Sequence, residues 1–82
     1  MKLFVGNIDY SVTEPELVEL FSAHGLPDQL KIVKDRTTGQ SKGYGFVEFE
    51  DEIAAVKSMM DLNETSFHDR QIVVREAGKK EK

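Results

Sequence analysis

Residues 42–49, Lys-Gly-Tyr-Gly-Phe-Val-Glu-Phe, set a cation and two aromatic rings at alternate positions. Lys42, Tyr44, Phe46 and Glu48 share one parity; Gly43, Gly45, Val47 and Phe49 share the other. Successive side chains of a β-strand point to opposite faces, so the first set shares one side of a sheet. The second set is small or apolar and suits a core. The first set then faces outward, where rings in a row need a reason to be exposed. Their chemistry is stacking on another flat group, with the ammonium of Lys42 at hand for an anion.

The surrounding pattern reads strand, helix, strand, strand, helix, strand. The first strand is expected at Lys2–Gly6, with Leu3 and Val5 inward and Phe4 outward. Thr13-Glu14-Pro15-Glu16 reads as a capping box, with Val12 and Leu17 as a hydrophobic staple. The helix it opens buries Leu17, Leu20 and Phe21 and ends at Gly25, read as a left-handed cap. Leu30 and Ile32 mark the inward face of a second strand and leave Gln29, Lys31 and Val33 outward. Residues 35–41, rich in turn formers around Thr38-Gly39, join it to the octamer strand as a hairpin. Asp51 caps a second helix with Ala55, Met59 and Leu62 inward; a last strand over residues 72–76 puts Ile72 and Val74 inward, Val73 and Arg75 outward.

The octamer fits, position by position, the longer motif of the RNA recognition motif family. Leu3-Phe4-Val5-Gly6-Asn7-Ile8 resembles the family's shorter hexamer, with its outward aromatic in second place. The chain therefore resembles an RNA recognition motif over residues 3–77. Its compact form looks like the small one-domain RNA-binding proteins of bacteria, including the cyanobacterial type. The fold class expected is α+β: a ferredoxin-like βαββαβ unit, a four-stranded antiparallel sheet with two helices packed on one face. Right-handed crossovers set the first and third strands side by side, bringing Phe4 next to Tyr44 and Phe46.

The resemblance implies that Phe4 and Tyr44 stack on neighbouring bases of single-stranded RNA while Phe46 packs between sugars. Lys42 lies near a phosphate, and Arg75, Glu76 and Ala77 contact base edges. Gln29, Lys31 and Val33 tune preference at the far edge, and Lys2 completes the candidate set. Stacking is worth roughly 1–3 kcal/mol per base, so two or three bases give about micromolar binding once ordering costs are met. Single-stranded DNA is the alternative nucleic acid. No cofactor or small-molecule substrate is implied, and the domain is expected to be a monomer.

Composition sets outer bounds. At 82 residues the chain fits one domain, expected at 1–77, followed by a short charged, disordered tail, Gly78-Lys79-Lys80-Glu81-Lys82. It has no cysteine, which removes disulfides, thiol catalysis and thiolate metal sites. No segment approaches a membrane span, and Met1 directly precedes a strand with no room for a signal peptide. A cytoplasmic location is expected, with nuclear or organellar ones as the eukaryotic alternatives. The net charge is −4, against the usual basic balance of nucleic-acid binders. Its distribution matters more: residues 9–24 carry −4, residues 48–64 carry −5, and the rest carry +5. Most of the acid lies on the helices, behind a mildly positive front.

Each residue also has a structural alternative. The three rings could pack under another domain or the tail, and Lys42 and Arg75 could be solvated strand charges. For Gln29, Lys31 and Val33 geometry alone speaks for contact. Tyr10 is expected to pack beside the first helix. His24 and His68 lack metal-ligand spacing and read as structural or surface residues. Phe67 is expected to cap the core, and the stripe Ile53, Val56, Met60 reads as a widened core face, with a partner surface as the alternative. The family's loop glycines are replaced by Glu64 and Asp69; Glu tolerates left-handed geometry poorly, so the loop at Glu64 is expected to take another path. A protein-interaction module is the second functional class. An enzyme of the acylphosphatase kind is the third; it needs a phosphate-cradling loop and an arginine that Gly6-Asn7-Ile8-Asp9 lacks.

Overall fold

The computed structural model describes residues 1–77. The expected tail at 78–82 lies outside the described residues. The elements run β1 (Lys2–Gly6), α1 (Glu14–Ser22), β2 (Gln29–Lys34), β3 (Ser41–Glu48), α2 (Glu52–Leu62), β4 (Ser66–Phe67), β5 (Arg70–Gln71) and β6 (Val73–Glu76). β1, β2, β3 and β6 form one antiparallel sheet in the order β2-β3-β1-β6; β4 and β5 pair separately. The βαββαβ plan is therefore present, with a small extra hairpin inserted before the last strand.

One face of the sheet is buried under both helices. Leu3, Val5, Ile32, Val47 and Val74 from the strands meet Leu17 and Phe21 of α1 and Ala55 and Leu62 of α2. Ile8, Val12, Phe49 and Ile72 close the ends of this core, and Phe67 packs against its margin as expected. α1 begins where local chemistry places it. Thr13 Oγ1 accepts from Glu16 N at 3.4 Å, and Glu16 Oε1 accepts from Thr13 N at 3.1 Å. The box satisfies two otherwise orphan donors, and the staple residues Val12 and Leu17 are both buried.

Several details differ from expectation. Gly25 does not have a positive φ; Ala23 is the C-cap, in right-handed geometry. Gly25 instead lets two segments approach: a Cβ there would stand 3.1 Å from Ala54 Cβ and 3.4 Å from Ser58 Oγ. Leu20 is half-buried. In α2 the fully buried set is Ala55, Ser58 and Leu62, with Met59 only partly covered. Ile53 and Met60 are 79% and 73% exposed, so their stripe lies on the solvent side rather than widening the core. A helix on a sheet buries about half its circumference, and the arc centred on Ala55, Ser58 and Leu62 leaves Ile53 and Met60 opposite it.

Glu64 does take left-handed geometry, φ +64°, despite its poor tolerance for it. Its neighbours determine the path. Glu64 N donates to Ile72 O at 2.8 Å, Gln71 Nε2 donates to Glu64 O at 3.2 Å, and Asn63 Oδ1 accepts from Val74 N at 2.9 Å. His68 and Asp69, at φ +54° and +63°, form the two-residue turn joining β4 to β5. Positive φ at both centres is the type I′ signature, made here without Asn-Gly. Ile72 lies between β5 and β6, buried but outside the strand.

Candidate nucleic-acid interface

The open face of the sheet carries the rings. β1 and β3 pair in a register that sets Phe4 opposite Phe46, and β6 sets Arg75 opposite Phe4 on the other side. β2 sets Lys31 opposite Phe46. Directly paired residues share a face, so Lys31, Phe46, Phe4 and Arg75 make one row across all four strands: cation, ring, ring, cation. Tyr44, two residues before Phe46, brings the third ring. Centroid separations are 5.7 Å for Phe4–Tyr44, 5.9 Å for Phe4–Phe46 and 6.3 Å for Tyr44–Phe46. The planes are inclined by 36°, 63° and 89°, so the rings support one another as tilted and edge-on neighbours. All three remain only half-buried.

Glycine makes the floor of this surface. A Cβ on Gly6 would come within 2.6 Å of Phe4 Cε2, so the ring of Phe4 lies flat across its own strand over Gly6. On the core side, a Cβ on Gly45 would collide with the backbone carbonyl of Lys31. That glycine lets β2 and β3 meet under Phe46. Gly43 has φ +88°, and between the pairs Ile32–Gly45 and Lys34–Ser41 β3 contains two more residues than β2. The strand therefore bulges over residues 42–44, and Tyr44, the first ring, ends the irregular stretch. Lys42 lies in this bulge, exposed, and near enough to Asp35 to act on it.

A second row flanks the first. Gln29 pairs with Glu48, Glu48 pairs with Lys2, and Ala77 N donates to Lys2 O at 2.8 Å. Lys2 Nζ stands 5.1 Å from the Phe46 centroid, a cation–π contact that the sequence pattern alone did not reveal. Glu76 pairs with Leu3 and so shares its face of the sheet, the helix side; Arg75 and Ala77 alternate with it on the ring side. Val33 and Val73 are half-buried at the flanks. Tyr10 is 71% exposed and has its ring edge beside Gly43 rather than packed under α1.

Electrostatics separate front from back. On the helix side His24 Nδ1 lies 3.1 Å from Asp61, which also meets Lys57 at 3.4 Å, and His68 Nε2 lies 3.1 Å from Glu16. The contact with His24, with help from Lys57, holds the Asp61 carboxyl below its usual range. In the β2–β3 hairpin, Asp35 Oδ1 accepts from Thr37 N and Thr38 N at 2.7 and 3.1 Å. These bonds, and Lys42 to a lesser extent, lower its pKa. Asp35 is thus fully ionised near neutrality and fixes the loop that ends at Gly39, φ +77°. Glu14 Oε2 accepts from Ile32 N at 3.0 Å, so a helix carboxylate covers part of the exposed β2 edge.

An antiparallel four-stranded sheet with helices behind and rings with cations in front defines a stacking-platform module. The family comparison agrees: the chain belongs to the RNA recognition motif family, whose profile matches residues 3–73. The family is one of RNA-binding modules, not of catalysts. The human cleavage stimulation factor subunit 2 tau variant is 43% identical over 75 residues, which are 92% of this chain and 12% of that protein. The chain thus spans about an eighth of the curated relatives it matches. Among solved structures, RNA binding protein PG1 has a TM-score of 0.91 at 36% identity, covering 100% of this chain and 99% of that one. The Rna15 RNA recognition motif with bound RNA (GU) has a TM-score of 0.83 at 31% identity, covering 94% and 83%. The expected likeness to the small bacterial, cyanobacterial type is corrected by these relatives: the cleavage stimulation factor subunits that the chain matches come from human, mouse, cattle and orangutan, all eukaryotes.

Proposed function

We propose that the open face binds single-stranded RNA by stacking two or three bases on Phe4, Tyr44 and Phe46, with modest affinity. The observation that carries this reading is the cluster of three half-buried rings within 6.3 Å of one another, bracketed by Lys31 and Arg75 in register. Phe4 and Tyr44 take neighbouring bases, and Phe46 lies against sugar. Lys2, Lys31 and Lys42 draw phosphates, Arg75 and the Ala77 backbone meet base edges, and Gln29 lies at the far margin. Glu76 contributes through its main chain, since its side chain shares the face of Leu3. Binding of RNA by a relative of similar fold, the Rna15 domain, supports the ligand class.

The domain acts as a monomer in this reading, where RNA is available, in cytoplasm or nucleus. Among the described residues no helix is long and apolar enough to cross a membrane. The test is the affinity of Phe4→Ala/Tyr44→Ala for a short RNA and for the deoxy version of the same sequence. Loss of two stacking partners is expected to weaken RNA binding at least about thirtyfold. Unchanged binding would favour a protein-interaction role. Equal affinity of the unsubstituted domain for the two oligomers would make single-stranded DNA an equal ligand.

A further inference from the structure

Beside the rings lies a recess with different chemistry. Gln29, Glu48 and Lys2 are successive cross-strand partners on the outward face. Directly opposed Cβ atoms are about 4.5–5.5 Å apart, close enough for one flat group to reach two of them. With Lys31 and Phe46 they line an open hollow of about 540 Å³, within the size range of ligand sites. Glu48 is exposed. Among the described residues the ion pairs involve Asp61 and Glu16, leaving Glu48 out, while Lys2 directs its ammonium over Phe46.

A carboxylate here is repelled by phosphates and can only accept hydrogen bonds. What it can take from a nucleic acid is a base edge with two adjacent donors. Guanine presents them, N1–H beside N2–H, with the O6 acceptor next in line. Uracil flanks its single N3–H with two carbonyls, and cytosine and adenine set a bare ring nitrogen beside the amino group. Each of these turns like partial charge toward the carboxylate. The Gln29 amide, directly across from Glu48, supplies the donor that O6 needs.

We propose that this recess is a guanine subsite at the outer end of the platform, in which Glu48 accepts from N1–H and N2–H and Gln29 donates to O6. This rests on the rings being an RNA platform and adds a preference that stacking does not supply, because every base has a π-face. Glu48 is then the specificity-determining residue, with Lys2 and the flank of Phe46 bounding the recess.

The test is a titration of the 82-residue chain with three RNA hexamers: alternating guanosine and uridine, the same with inosine for guanosine, and uridine alone. Inosine keeps N1–H and lacks the 2-amino group. The guanosine oligomer is expected to bind about tenfold tighter than the inosine one. Glu48→Gln is expected to reduce that ratio below about twofold while binding oligouridine at least as well, since a charge facing phosphates has gone. A ratio near one in the unsubstituted chain, or a ratio unchanged by Glu48→Gln, overturns the subsite. Binding of all three RNAs without guanine preference overturns the subsite alone; binding of none overturns the platform with it.

Discussion

Phe4 can lie flat because Gly6, two residues on and on the same side of β1, has no side chain. Gly45 serves a different need at similar crowding, since a Cβ there would meet main chain rather than a movable ring. The two substitutions should therefore separate. Gly6→Ala lifts Phe4 and is expected to weaken RNA binding about five- to tenfold with a small loss of stability. Gly45→Ala forces β2 from β3 and is expected to cost about 3 kcal/mol or more in urea unfolding. The alternation of residues 42–49 made the outward rings and inward glycines legible. It did not show that Phe4 covers Gly6 or that Lys2 lies over Phe46, because both depend on rotamers and cross-strand register. Nor did it bring out Glu48 as more than a solvated charge; pairing with Gln29 and Lys2 does that.

At the scale of elements, α1 and the strand order were legible because capping box, period and crossover handedness all point the same way. The stretch from Asn63 to Ile72 was not. β4 and β5 have two residues each, too few for a periodic signal, and their turn uses His68-Asp69 where Asn-Gly would have announced it. Glu64 shows the same override of local preference by its surroundings. Its left-handed φ is held by the Ile72 and Gln71 bonds and carries a backbone cost of about 1 kcal/mol. Glu64→Gly removes that cost but frees the unfolded chain. The net expectation is a stabilisation of about 0.5 kcal/mol, read as a raised urea midpoint at constant slope. A lowered midpoint would mean that the Glu64 side chain itself holds the loop. The exposed stripe of α2 marks the converse limit: periodicity located an apolar face at Ile53, Val56 and Met60 but not which way the helix turns it.

For the molecule as a whole, net charge and ligand charge have the same sign, and the arrangement resolves the conflict. Acid gathers on the helices and at the ion pairs of Asp61 and Glu16, while Lys2, Lys31, Lys42 and Arg75 lie at the sheet and its rim. Four cations facing single-stranded RNA give a slope of about −2 to −3 in log affinity against log salt. A slope near zero would remove them from the interface, and one beyond about −5 would require cations from elsewhere in the chain. The measurement that bears most directly on the platform is an NMR titration of the domain with a short single-stranded RNA, following ring and backbone signals together. The largest shifts are expected at Phe4, Tyr44, Phe46 and their row partners Lys31 and Arg75, with α1 and α2 nearly still. Shifts confined to the helices, with the three rings silent, would contradict it.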